Sequence, residues 1–199
     1  MDRLGVDVRI GTAATLDAIK QIDPDRVIIA TGVIPSVPPI NGIEHALSAW
    51  DVLEDCSAIK ENSVIAVLGG GDVGCETAVY LAKEKGCKAQ IFEMTGSFAT
   101  GSGTLYELMM ELQEYQVNLN LNAKVSTVAE NFIEYVKDNK KERFECDHVI
   151  ASLGVKPYGL NLAEEIKNAG YIVRVVGEAG GEAKIGGAVM SGYNVAHAL

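Results

Sequence analysis

Apolar residues along this chain fall into short runs broken by glycine, proline and acidic residues, and their periods predict strands and helices in alternation. Val6, Val8 and Ile10 alternate with other residues and predict a short first strand. Leu16, Ile19 and Ile22 then recur at helical or turn spacing over 15–22, until Asp23-Pro24-Asp25 breaks the element. Arg26 to Gly32, RVIIATG, is a compact apolar strand, and the prolines at 35, 38 and 39 behind it predict an extended connector. A short helical piece over 50–59 leads to a strand that runs into VLGGGDVGCETAVYLAKEKG (67–86), a tight glycine turn with a helix directly behind it. KAQIFE (88–93) is the next strand, and 95–103, with three glycines, is a loop. The stripe Leu105, Leu108, Met109 and Leu112 predicts a helix over 104–115 whose methionines fill core. A strand over 117–121 follows, and then three short strands at 125–128, 132–136 and 143–146. Asp138-Asn139-Lys140-Lys141 supplies turn residues between the last two, which makes an antiparallel meander. From Tyr171 a strand ends at Gly177-Glu178, and 188–199 closes the chain as a helix.

Asp147 to Pro157, DHVIASLGVKP, repeats the design of Asp25 to Pro35, DRVIIATGVIP, at matching offsets. Each copy runs from aspartate through an apolar strand to glycine and proline. The copies flank the central strand, turn and helix, so the interval between them is expected to be one domain inserted into another. The fold class is α/β: a Rossmann-like domain of parallel strands and helices with a β-meander, inserted into a second, incomplete domain.

The chemistry concentrates at Gly69-x-Gly71-x-x-Gly74. Gly69 permits the turn, Gly71 lets backbone approach a pyrophosphate, and Gly74 lets helix and strand pack closely. Unpaired N–H groups and the dipole of the following helix attract the anion. Glycine-rich turns also serve only as turns. Here the strand before, the helix after and Glu93, nineteen residues beyond Gly74, supply the context of a dinucleotide site, in which a carboxylate accepts hydrogen bonds from a ribose.

With 27 acidic against 17 basic residues the net charge is -10, which disfavours nucleic acid and anionic lipid as partners and leaves small molecules or proteins. No apolar run approaches the roughly 18 residues of a membrane helix, and the N-terminus lacks the apolar centre of a signal peptide, so a cytoplasmic protein is expected. Cys56, Cys75, Cys87 and Cys146 form no C-x-x-C pair, and His45, His148 and His197 share no ligand spacing; no metal is assigned. Cys75, in the first turn of the helix, is either a thiol acidified by the dipole or a small residue packed under the turn.

In order, VIIATG-x-x-P, GGGDVGCE, CDHVIASLG-x-K-P and VVGEA with a C-terminal helix resemble the two-dinucleotide-fold flavoprotein reductases related to glutathione reductase and lipoamide dehydrogenase. Within that group the chain is most similar to the C-terminal half of the flavin and iron-sulfur enzymes of the 2,4-dienoyl-CoA reductase and enoate reductase type, whose N-terminus is an old-yellow-enzyme barrel. The resemblance implies an NAD(P)H domain (46–157) inserted into an FAD-binding-like domain (1–45 and 158–199). It implies that Gly69, Gly71 and Gly74 hold the NAD(H) pyrophosphate, that Asp72 and Val73 offer backbone N–H groups, and that Glu93 holds the adenosine ribose. Glu76 corresponds to a family glutamate at the nicotinamide end, or is an exposed first-turn carboxylate favoured by the dipole. Gly154 borders the nicotinamide side, and Thr31, Gly32 and Glu178 stand in the motifs that meet FAD. With Glu93 present and no arginine in Met94-Thr95-Gly96, NADH is favoured over NADPH.

The departures are as informative. No glycine fingerprint for FAD precedes Val27, Gly177-Glu178 stands where the family has glycine-aspartate, and the barrel, its FMN site and its cysteine cluster are missing. The resemblance therefore implies a piece of a longer reductase, with no catalytic residue of its own, that partners NADH and the missing flavin-bearing parts. The alternative is a module that holds ADP or NAD for structural or regulatory reasons.

Overall fold

The computed structural model describes residues 2–182 and 184–198. In chain order its elements are α1 (Leu16–Ile22), β1 (Arg26–Ile29), β2 (Val33–Pro35), β3 (Leu47–Ser48), α2 (Ala49–Glu54), β4 (Val64–Leu68), α3 (Asp72–Lys85), β5 (Lys88–Phe92), α4 (Leu105–Glu114), β6 (Asn118–Asn120), β7 (Lys124–Val128), β8 (Phe132–Lys137), β9 (Lys140–Glu145), β10 (His148–Ala151), β11 (Val155–Pro157), α5 (Leu160–Asn168), β12 (Ile172–Val175) and α6 (Lys184–His197). The chain divides into two units: Pro35–Val155, and Met1–Ile34 with Lys156–Leu199.

The inner unit is built on a five-stranded sheet of order β3-β10-β4-β5-β6, with every pair parallel. Its central strands are apolar on both faces because both faces are covered. Along β4, Ile65 and Val67 point into a cluster with Cys75, Ala78 and Leu81 of α3, Ile91 of β5 and Leu108 and Leu112 of α4. The alternate residues Ala66 and Leu68 join Phe92, Val128, Ile133 and Tyr135 beneath the meander β7-β8-β9. Helices therefore take one face and the meander the other. The β8–β9 hairpin turns at Asp138 and Asn139, both at positive φ (51° and 59°), the conformation a two-residue turn needs to match strand twist.

The outer unit pairs β1 with β12 in parallel, and Val27 and Ile29 pack with Ala163 and Ile166 of α5 and with Leu16 and Ile19 of α1. The side chain of Thr15 caps α1 by accepting the Ala18 N–H. On the other side of β1 and β12, Ile28 and Ile172 are 43% and 50% exposed.

Several expectations change. Val6, Val8 and Ile10 form no strand: their side chains are exposed, and an alternating pattern without a partner strand or a buried face has nothing to hold it extended. Residues 35–45, expected in the outer domain, belong to the inner unit. There the Val128 N–H donates to the Asn41 carbonyl and Ile40 and Ile43 pack beneath the meander. On α4 only Leu108 and Leu112 are buried; Leu105, Met109 and Met110 are exposed, so the methionines are not core filler. Helix α5 was not anticipated, and α6 begins four residues before the expected 188; Leu199 lies outside the described residues. Truncation on α4 discriminates the two sides: Leu108→Ala is expected to cost about 2–5 kcal/mol in denaturant unfolding and Met109→Ala no more than about 0.5. Equal losses would contradict this placement.

Candidate nucleotide site

The turn between β4 and α3 is set by three glycines with three different constraints. Gly69 has φ +101°, and a Cβ there would run into the Ser152 carbonyl oxygen at the end of β10. Gly74 is buried inside α3, and its Cβ would meet the Gly69 carbonyl oxygen. Gly71, the N-cap, has an ordinary φ of -73°, and a Cβ built on it would have no atom within 4 Å. Two glycines therefore serve close packing of protein on protein, and Gly71 borders open space at the head of a 14-residue helix with no side-chain cap. The first N–H groups of a helix have no partner within it, so they and the dipole face that space.

Glu93 stands beside the turn. One carboxylate oxygen, Oε2, accepts the Gly70 N–H at 2.8 Å and the other, Oε1, accepts the Thr95 N–H at 2.8 Å. The Gly70 carbonyl accepts the Ala99 N–H at 2.7 Å, so both backbone polar groups of this residue are held. A side chain at Gly70 would be tightly placed, since its Cβ would come within 3.0 Å of Glu93 Cβ and 3.3 Å of Phe98 Cβ. Partial burial pushes the Glu93 carboxyl up, but the donors from Gly70 and Thr95 outweigh it and hold the group below its usual range. Gly70 and Ala99 were missed in the sequence; the run of three consecutive glycines was the available signal for the first. Cys75 lies under the turn with no exposure, and burial followed by the charges of Asp72, Glu76 and Glu93 pushes its thiol up to about 12, so it is the packed residue and not an acidified thiol.

Two neighbouring cavities, a larger and a smaller lobe that share lining residues, lie at this point within the inner unit. The larger, about 620 Å³, is bordered by Gly69, Gly71, Glu93, Thr95 and Lys124, with Pro38, Pro39, Ile40, Phe92 and Val125 as apolar walls. That volume is within the roughly 300–1,000 Å³ of small-ligand sites. The smaller, about 120 Å³, is bordered by Val73 and Trp50, and Ser152, Leu153 and Gly154 line both. Of the residues predicted for the site, the structure brings Gly69, Gly71, Glu93 and Gly154 to one lobe and Val73 to the other. Asp72 and Glu76 border neither; Glu76 is exposed, and partial desolvation, then Asp72 and Glu111, raise its carboxyl. In the outer unit the Thr31 hydroxyl donates to the Tyr158 carbonyl, the Gly177 N–H donates to Ser191 Oγ, and Glu178 lies in a short 3-10 turn. A cavity of about 250 Å³ in that unit is bordered by Arg26, Arg174 and Asn194 and by none of Thr31, Gly32 or Glu178. Among the described residues no cluster of three His, Cys, Asp or Glu could hold a metal, and no helix is long and apolar enough to cross a membrane.

The family model described as pyridine nucleotide-disulphide oxidoreductase matches residues 4–186. The chain is 34% identical over 203 residues to an NADH oxidase of Thermoanaerobacter brockii, covering 98% of this chain and 31% of the relative. It is 35% identical over 204 residues to a bilirubin reductase of Mediterraneibacter gnavus, covering 100% of this chain and again 31% of the relative. Among solved structures, a 2-naphthoyl-CoA reductase in complex with 2-naphthoyl-CoA superposes with a TM-score of 0.83 at 25% identity, over 96% of this chain and 29% of that one. The chain thus spans about a third of the length of these relatives. A glycine turn that opens a helix, a carboxylate at the end of the next strand and a match along almost the whole sequence agree: this chain belongs to the pyridine nucleotide-disulphide oxidoreductase family.

Proposed function

We propose that this chain is the NADH-binding part of a longer flavin-dependent oxidoreductase. The observation that carries the reading is the open space over Gly71 at the head of α3, the one glycine of the three whose missing side chain no protein atom requires. A pyrophosphate there meets backbone N–H groups and the positive end of the helix dipole. The adenosine arm extends along the larger lobe, where Glu93 keeps acceptor capacity beyond its two backbone donors for the ribose hydroxyls. A carboxylate at that place repels a 2′-phosphate, which supports NADH over NADPH, although Lys124 on the same lobe reduces the difference. Bound NADH supplies a hydride, and this chain contributes position and electrostatics.

The outer unit is read as the flanking part of a flavin domain. Among its described residues the polar groups of Thr31 and Gly177 are committed within the unit, and Glu178 does not line the cavity beside Arg26 and Arg174, which argues against FAD held by these residues unaided. Flavin and final acceptor are assigned, on this reading, to parts of the parent protein outside this chain, which spans about a third of its relatives' length. The competing reading, a module that merely retains a nucleotide, shares the binding step and differs only in the parent protein's turnover.

Calorimetry on the isolated chain tests the reading. ADP and NADH are expected to bind and NADPH to bind more weakly; no NADH binding at millimolar concentration would overturn the proposal. Gly71→Ala is expected to keep stability within about 1 kcal/mol, since its φ suits alanine, yet to weaken ADP and NADH by about tenfold or more. By contrast Gly74→Ala drives a Cβ into the Gly69 carbonyl and is expected to destabilise the fold by about 1–3 kcal/mol or more. A Gly71→Ala chain that binds as the native one does would leave the turn a turn. Glu93 adds a pH signature. Its folded value lies below the ordinary 4.5, so the stabilisation is present above that value and is lost as pH falls through the lower folded one. The melting temperature of the native chain is expected to fall more steeply in acid than that of Glu93→Gln; parallel curves would contradict the bonds to Gly70 and Thr95.

A further inference from the structure

We propose that Trp50 is the wall on which the nicotinamide ring of the dinucleotide stacks, in the smaller lobe of the cleft; this rests on the dinucleotide reading above. The two lobes meet at the head of α3, with Gly71 on the larger and Val73 on the smaller, and Ser152 to Gly154 common to both. A pyrophosphate at the helix head therefore sits between them. If one nucleoside runs towards Glu93, the other runs over Gly154, where a Cβ would have no atom within 4 Å and nothing obstructs close passage.

The lobe suits an uncharged ring. No Asp, Glu, Lys or Arg lines it, its walls are chiefly proline, valine, isoleucine, alanine and tryptophan, and at about 120 Å³ it is far smaller than its neighbour. Trp50 is delivered to it by ordinary structure. β3 pairs with β10 through Leu47 with Ile150 and Ser48 with Ala151, which ties the start of α2 to the strand that ends at Ser152. Ser48 caps α2 by accepting the Trp50 N–H at 3.2 Å, and Ala49 and Val52, at 1% and 3% exposure, anchor the helix. Trp50 itself is left 42% exposed. A large aromatic on a helix anchored by Ala49 and Val52, and itself partly exposed, is a preformed stacking surface, and offset stacking of rings is favourable beyond area burial. A ring stacked there has one face covered and the other free for a hydride acceptor.

Trp50 is the only tryptophan in the chain, so its emission reports the lobe without a label. Native, Trp50→Ala and Trp50→Phe chains are titrated with ADP, which lacks the ring, and with NADH. NADH is expected to quench native emission and ADP to leave it nearly unchanged. Trp50→Ala is expected to weaken NADH on the order of tenfold with ADP unchanged, and Trp50→Phe to recover most of the loss. The proposal is overturned if Trp50→Ala binds NADH as the native chain does, if ADP and NADH weaken equally, which marks damage to α2, or if ADP quenches as much as NADH. If native protein binds neither, the dinucleotide reading falls and takes this one with it. If it binds ADP but NADH no more tightly, only the role of Trp50 falls.

Discussion

One residue, Gly70, fixes the head of α3 through both of its backbone polar groups, and the rest of the inner unit is arranged to hold it. Its N–H is taken by the Glu93 carboxylate at the end of β5 and its carbonyl by the Ala99 N–H from the loop beyond. Both bonds require β4 and β5 to be in register, which the parallel pairing of Val64–Leu68 with Lys88–Phe92 provides. They also require the helix to come close to the sheet, and for that Gly69 and Gly74 give up their side chains. The glycine turn is thus stiff in spite of its composition. An anion-binding site gains from stiffness, because backbone donors already in place need no ordering when the ligand arrives.

The two faces of the sheet divide the labour around that point. α3 and α4 cover one face, and close packing of Cys75, Ala78 and Leu81 under the turn keeps the helix axis aimed at the cleft. The meander covers the other, and Ala123, just before β7, and Lys124, its first residue, line the larger lobe together with Glu93. The Asn122 N–H donates to the Thr95 carbonyl and the Ala123 N–H to the Glu93 carbonyl, so the lobe's far wall is bonded to the same strand end that carries the carboxylate. Geometry at the site is consequently a property of the whole inner unit and not of the motif alone.

Much of this was legible in the chain because the relevant constraints are local. The spacing Gly69-x-Gly71-x-x-Gly74 where an apolar strand runs into a helix encodes the turn, and a β-branched, apolar strand buried on both faces is easy to see in VIAVL. The repeat also has a structural meaning: β1 and β10 each lead through a glycine at positive φ, Gly32 and Gly154, into β2 and β11 at the same offset. What was not legible depends on partners distant in sequence. Val6, Val8 and Ile10 alternate as a strand does, yet pairing decides strands and they have none among the described residues. Met109 keeps the period of the α4 stripe, but which turn of the stripe meets α3 is set by packing. Ala99, at φ 44° and 1% exposure, carries no sequence mark of its bond to Gly70. Trp50 read as one residue of a short helix; only the pairing of β3 with β10 brings it to the cleft.

Glu93 shows why the motif reading of such sites is incomplete. Treated as a cofactor-choice residue, it could be exchanged for a cation to admit a 2′-phosphate. Its two oxygens, however, already accept the N–H groups of Gly70 and Thr95, and a guanidinium or ammonium has no acceptor to offer either. Such an exchange leaves two backbone donors without their partner at the same moment that it alters the charge on the larger lobe. In the proposed NADH site, cofactor preference and turn geometry would therefore rest on one side chain. A change of preference that preserves the turn has to keep an acceptor at 93 and place the cation elsewhere on the lobe, and Lys124, already a cation on its wall, shows that the lobe can carry one.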